Sequence, residues 1–167
     1  AGSWPLLRQL LSSGRRPTAR LHALCTLAEQ RQLKAEDVRA GLLVPHEGVR
    51  RWAVRLGGEA GLLDSHAALL RSLADDPGLK VRLELATAAG QLRSELSAEI
   101  LSQLLLGTND GWVHAGVLSS LNSGNAVLVA AAVAERGAGQ ELEALGQQAV
   151  ALGADEQAAE LLLRAAS

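Results

Sequence analysis

Residues Asp75 to Leu92, DDPGLKVRLELATAAGQL, decide the fold. Asp75, Asp76, Pro77 and Gly78 are a turn-making cluster, in which proline fixes φ, lacks an N–H and drives the residue before it away from helix. Leu79, Val81, Leu83, Leu85, Ala86, Ala89 and Leu92 then supply an apolar stripe at helical spacing, until Gly90 and the polar run QLRS end it. Upstream, Ala68 to Leu73, ALLRSL, is a second stripe of the same kind. The local pattern is a helix, a turn, and a second helix that opens on Val81-Arg82.

That opening recurs on both sides. Ala19-Arg20-x-x-Ala23, Val49-Arg50-x-x-Ala53, Val81-Arg82-x-x-Leu85 and Val113-His114-x-x-Val117 align, with second positions 30, 32 and 32 residues apart. The helices before them align too, since Leu7-Arg8-Gln9-Leu10, Leu70-Arg71-Ser72-Leu73 and Leu101-Ser102-Gln103-Leu104 each end nine or ten residues before the Arg or His. One helix pair is too small to bury its apolar face alone, whereas stacked pairs close a continuous core. A period near 31 residues therefore predicts an all-α, right-handed α-solenoid of about five helix pairs plus a C-terminal helix. The pairs fall at about 3–30, 31–60, 61–92, 93–122 and 123–152, with the terminal helix over 155–166.

Boundary signals fill in the units. Ser3 is placed to cap the first helix, with Pro5 in its opening turn, and the helix runs to Ser13. The second helix covers Ala19 to Gln30, and the third covers Ala35 to Val44, where Pro45 stops it. The fourth opens at Val49 and meets Gly57, Gly58 and Gly61 as its end. Asp64 or Ser65 caps the fifth, Glu95 to Leu106 is the seventh, and Asp110 caps the eighth. Asn125 to Arg136 and Gln140 to Leu152 are the ninth and tenth, and Asp155 caps the last. Ala23, Ala53, Ala86 and Ala115 are the small residues expected where helices approach closely. Nothing alternates with period two for long enough to predict a strand.

Composition agrees. Apolar residues are 48% of the 167, but aromatics are only 2%, namely Trp4, Trp52 and Trp112, so Leu and Ala must fill the core. The supply of β-branched and aromatic residues that strands draw on is thin. Sixteen basic and 18 acidic residues, spread without blocks, leave a formal charge of −2 and no basic footprint for nucleic acid. No apolar run approaches the roughly 20 residues a bilayer span needs, so no membrane insertion is expected. Cys25 is the single cysteine, set in an apolar helical run and read as a buried structural thiol. The 14 Arg against 2 Lys, with richness in Ala, Leu and Gly, fit a GC-rich genome. Ala1-Gly2-Ser3 looks like an added leader, so the chain is read as a fragment of a longer one, and its N-terminus gives no compartment.

At the Val-Arg helices and the Asp-containing turn the chain resembles the HEAT and HEAT-like repeat family, over roughly Ser3 to Leu121. The resemblance implies an Asp–Arg ladder between repeats, for which Asp76 with Arg82 keeps the family spacing. His114 stands in place of Arg in the fourth unit and Glu143 in the fifth, so irregular or capping packing is expected in the C-terminal third. Arg20-Leu21-His22-Ala23-Leu24, followed by V-R-R-W-A-V-R-L from Val49 to Leu56, also resembles the repeat segment of large secreted bacterial proteins. Those combine a sugar-dehydrogenase-like propeller, helical repeats and a c-type cytochrome domain. That likeness implies a periplasmic or secreted parent that is an oxidoreductase, while this segment has no C-x-x-C-H for haem.

No catalytic, cofactor-binding or metal site is expected. His22, His46, His66 and His114 lie in different units, with no pair at i, i+3 or i, i+4. Asp64-Ser65-His66 holds three triad residue types, but neighbours in one turn cannot face one another in triad geometry. Gly137-Ala138-Gly139 lacks the third glycine and the preceding strand of a dinucleotide loop. The positions after Val-Arg are different, because the family resemblance places them on the concave side. They give a row of His22, Trp52, Glu84 and Gly116, flanked by Leu21, Arg51, Leu83 and Ala115. Trp and Arg dominate interface hot spots, so Arg51, Trp52 and Arg55, with His22 and Glu84, are the expected partner-binding residues. Arg20, Arg50 and Arg82 are expected to be structural.

The expected function is a non-catalytic scaffold or protein-interaction segment whose partner is another protein or the neighbouring domains of its own chain. No cofactor, nucleic acid or small-molecule substrate is expected. The alternatives are a HEAT-like DNA-binding or DNA-repair glycosylase module, which needs a basic groove, and a cofactor-lyase-like repeat protein, which needs an acidic or His-lined pocket.

Overall fold

Turn residues and apolar periodicity together dictate short helices, and the computed structural model, which describes residues 3–136 and 139–153, has that form. Its α-helices are α1 (Trp4–Ser13), α2 (Pro17–Glu29), α3 (Ala35–Leu42), α4 (Glu47–Glu59), α5 (Ala67–Ala74), α6 (Leu79–Ala89), α7 (Ser94–Leu106), α8 (Gly111–Ser119), α9 (Ala126–Ala134) and α10 (Gly139–Ala151). A 3₁₀ turn, Asp64–His66, leads into α5, and no strand occurs among the described residues. The helix expected over 155–166 and its cap Asp155 lie outside the described residues.

Consecutive helices pack as pairs: α1 on α2, α3 on α4, α5 on α6, α7 on α8 and α9 on α10. Each pair also leans on the next. The second helices form the chain of contacts α2, α4, α6, α8, while among the first helices α1 meets α3, and α5, α7 and α9 follow one another. One continuous cluster of buried Leu, Ala and Val runs from Leu11 in α1 to Ala149 in α10. Small residues set the approach of the helices. A Cβ added to Gly41 of α3 would stand 2.8 Å from that of Ala53 in α4, and one on Gly116 of α8 would stand 3.2 Å from that of Ala86 in α6. Ala23, Ala53 and Ala86 are buried as expected, but Ala115 is exposed, and its neighbour Gly116 occupies the contact.

Several ends differ from the sequence expectation. Gly57 and Gly58 lie inside α4, where Gly57 sits under Val38 and Leu63 with no room for a side chain. Gly61 is the terminator, at φ 65°, with Leu62 N–H returning to the Gly57 carbonyl. Arg31 ends α2 in the same way at φ 55°, its neighbour Gln32 donating to the Leu27 carbonyl. Both are left-handed helix ends of the Schellman type, which glycine adopts freely and arginine does not. Ser3 makes no side-chain cap, and neither Asp64 nor Ser65 caps α5. Asp64 accepts from the Arg93 N–H instead, and Ser65 donates to the Leu62 carbonyl. Asp110 does cap α8, accepting from the N–H groups of Trp112 and Val113.

Three of the four basic second positions share one task. Arg20 Nε donates to the Gly14 carbonyl at 2.6 Å and Arg50 Nη1 to that of Val44 at 3.0 Å. His114 Nε2 contacts the Thr108 carbonyl at 2.7 Å, again six residues back, so histidine replaces arginine without losing the contact. Each satisfies a carbonyl left open near the end of the preceding helix. Arg50 also reaches across to the next pair, where Nε and Nη2 meet Asp76 Oδ2 and Oδ1 at 2.6 and 2.9 Å. Asp76 thus pairs with Arg50, not with Arg82 as the family spacing implies. The hydrogen bond to Asp76 raises the Arg50 guanidinium above its ordinary pKa, against the opposing effect of burial. Arg82 Nε is buried with no partner, and the position 26 residues on, where Arg50 finds its aspartate, is Thr108.

The fifth pair departs from the others. Asn125, almost wholly buried before α9, donates to Ser97 Oγ at 2.8 Å and to the Ser120 carbonyl at 3.1 Å, tying α9 to α7. α10 packs on α9, and a groove lined by Leu105, His114, Leu118 and Glu141 lies between α10 and the α7–α8 pair.

Ala53→Trp overpacks the α3–α4 contact and lowers stability by about 1 to 3 kcal/mol, and an unchanged thermal midpoint would mean that the Gly41–Ala53 contact is not formed. Asp76→Asn removes one partner of a largely buried ion pair, costing about 3 kcal/mol, whereas Thr108→Asp supplies Arg82 with the partner it lacks and raises the midpoint. Denaturant unfolding of the two variants in parallel checks both signs.

Candidate interaction face

In α4 the helical repeat turns Val49, Ala53, Val54 and Gly57 into the core and leaves Arg51 and Arg55, four residues apart, side by side on another face. Glu84 of α6 answers both. Arg51 Nε donates to Glu84 Oε2 and Arg55 Nε to Glu84 Oε1, each at 2.9 Å. The carboxylate is buried, with its side chain 10% exposed, while the two arginines keep 37% and 41% of theirs in water. Two cations flanking one shielded carboxylate is a favourable arrangement, because the guanidinium groups satisfy both oxygens and retain solvent on their outer edges.

Trp52 lies half-buried against the core, with the Arg55 guanidinium carbon 5.3 Å from its ring centre. A cation over an indole face contributes about 0.5 to 1 kcal/mol at such a site. Arg51, Trp52, Arg55 and Glu84 therefore form one cluster that joins α4 to α6. His22 is exposed on α2, the helix that packs on α4, and forms no hydrogen bond or ion pair with the cluster. Farther along the row, Gly116 is buried against Leu83 and Ala86, so the expected concave strip descends into the helix contact at its far end.

The cluster belongs to a wider set of polar links whose partners stand 26 to 33 residues apart. Arg8 Nε meets Asp37 Oδ1 at 3.0 Å between α1 and α3, and Asp37 also accepts from the Lys34 N–H. Arg71 meets both oxygens of Glu99 between α5 and α7, and Gln103 donates to Asp75. The Arg71 hydrogen bond holds the Glu99 carboxyl below its ordinary range. Among these acceptors the sequence marks Glu84 and Asp76 for a side-chain contact, and Asp75 only as a turn residue.

The other candidates separate. His46 Nδ1 accepts from the Gly48 N–H at the start of α4, and His66 Nε2 meets the Ala35 carbonyl. With Asp64 on Arg93 and Ser65 on Leu62, the three residues of the D-S-H run hold three different partners. Cys25 is only half-buried, and burial, with Glu29 adding to it, pushes its thiol up. Among the described residues no group of three His, Cys, Asp or Glu side chains is placed to hold a metal ion. No helix among them is long and apolar enough to cross a membrane.

Because Glu84 is shared, a double-mutant cycle between Arg55→Ala and Glu84→Ala yields a coupling of about 1 kcal/mol, discounted for the solvent on the arginine. Additive losses would mean that the ion contact does not brace α4 against α6. Comparison of the chain with protein-family models, with curated proteins and with solved structures returned no match.

Proposed function

We propose that this chain is a right-handed α-solenoid of HEAT-like helix pairs, acting as a non-catalytic scaffold and protein-interaction segment of a larger bacterial protein. The observation that carries this is the offset of its contacts. Most helices meet the helix two along, α3–α5 and α8–α10 excepted, and polar side chains find partners about one repeat away, as in Arg8–Asp37, Arg50–Asp76 and Arg71–Glu99. Such a stack displays a long surface while keeping its core independent of what that surface carries.

Arg51, Trp52 and Arg55, held by Glu84, are the proposed contact point, with His22 exposed on the adjoining helix α2. Their rotamers are already fixed by the cluster, so docking a partner on them costs little side-chain entropy. Arg and Trp are also the side chains most often found at binding hot spots. A periplasmic or secreted parent is proposed on the likeness of the Arg20–Leu24 and Val49–Leu56 segments alone. The DNA-binding alternative is less favoured, because Arg50 is committed to Asp76, and Arg51 and Arg55 share one carboxylate. A phosphate-binding groove needs cations without such partners.

A photo-crosslinker placed at Trp52, in the parent chain within its own cells, tests this. The expected product is a discrete adduct with protein that resists nuclease and is lost when Arg51→Glu is added. A nuclease-sensitive adduct, or one indifferent to Arg51→Glu, would overturn the proposal.

A further inference from the structure

The first three turns that join the first helix of a pair to the second line adjoining grooves and carry exposed apolar residues. Leu43 is 51% exposed and Leu79 39%, and Pro17, Pro45 and Pro77 occupy three successive turns. Two grooves run along these turns. The first, of about 560 Å³, is lined by Gly14, Arg15, Pro17, Arg20 and Pro45, with His46 at its rim. The second, of about 510 Å³, lies between the short helices α3 and α5 and is lined by Leu43, Leu69, Leu73 and Pro77. Val44 and Pro45 line both, so the two grooves adjoin at these residues and make a trough in two parts across three turns.

The ends of the trough differ in charge. Arg15, Arg20 and His46 line the first groove without a carboxylate among its lining residues. Arg20 uses Nε on the Gly14 carbonyl, and Arg15 is exposed. In the second groove Arg50 is neutralised by Asp76, and Asp75 accepts from Gln103. The trough is therefore cationic at one end and apolar at the other, where Asp75 is a carboxylate that no cation among the described residues neutralises. Prolines at three turns carry no N–H, so its walls are poor in backbone donors and recognition falls to side chains. With helix pairs stacked about 10 Å apart, three turns span roughly 20 Å, the length of about six extended residues.

We infer that this trough binds an extended peptide segment of another protein, with acidic side chains over Arg15 and Arg20 and apolar side chains over Leu43, Leu69 and Pro77. The inference rests on the proposed interaction role but concerns a surface other than the α4–α6 cluster, and it adds the chemistry of the partner. The acidic end supplies orientation, because reversing the peptide would set its carboxylates beside Asp75 and the Arg50–Asp76 pair.

The test uses a fluorescein-labelled six-residue peptide with two aspartates at one end and leucine and proline at the other. Fluorescence anisotropy follows its binding to the whole chain. The expected result is saturable binding, at least tenfold weaker for a peptide with lysine in place of aspartate and for one with serine in place of leucine. Arg15→Glu combined with His46→Asp, in which aspartate keeps the helix-capping acceptor, weakens the acidic peptide at least tenfold with an unchanged melting temperature. Leu43→Glu does the same from the apolar end. Absence of saturable binding, equal binding of the lysine peptide, or full affinity in the double variant overturns the inference. Arg51→Glu leaves peptide binding unchanged, so loss of the crosslink at Trp52 and loss of peptide binding report on different surfaces.

Discussion

The structure depends on the burial of each helix pair's apolar face against the pair that follows. α4 illustrates this, because it packs on α3 within its own unit, on α2 before it and on α6 after it, and Val49, Ala53, Val54 and Gly57 are buried as a result. With no Phe, Tyr or Met, the chain fills this space with Leu, Ala and Val, whose small volumes require the helices to come close. The glycines meet that requirement at Gly41, Gly57 and Gly116, where a methyl group would already collide or crowd. Core composition and helix spacing are thus one constraint.

Polar residues refine what burial sets. Arg20, Arg50 and His114 close the end of the helix before them, each on the carbonyl six residues back. Arg50 alone also secures the next pair through an aspartate, and Arg51 and Arg55 secure it through Glu84. These links concentrate at the α4–α6 contact, in the middle of the described chain. Charged side chains there are held by their partners and still face water on one side.

Much of this was legible in the sequence because its signals are local. The Asp75–Gly78 turn, the Asp110 cap and the Val-Arg register follow from neighbours a few residues apart, and the helices they predict are present. Partners one repeat away were less legible. Asp76 was assigned to Arg82, six residues on, and bonds Arg50, 26 residues back, because stacking offset and not sequence distance selects the guanidinium that reaches it. Ala115 and Gly116 exchanged roles for a related reason, since a one-residue rotation of α8 decides which of the two meets Ala86. Gly57 and Gly58 read as helix breakers in the sequence, but the close approach of Val38 and Leu63 to Gly57 and of Ala88 to Gly58 favours small residues there and outweighs their low helix propensity. At the candidate face, Arg51, Trp52 and Arg55 were visible from residue type and spacing. The burial of Glu84 between the two arginines was not, because nothing within one helix marks it.

Small-angle X-ray scattering of the chain in solution tests the central claim most directly. A compact domain of this length has a radius of gyration of about 15 Å. Helix pairs leaning in sequence give a distinctly larger value and a skewed, elongated distance distribution. A value at the compact figure with a symmetric distribution would contradict the account.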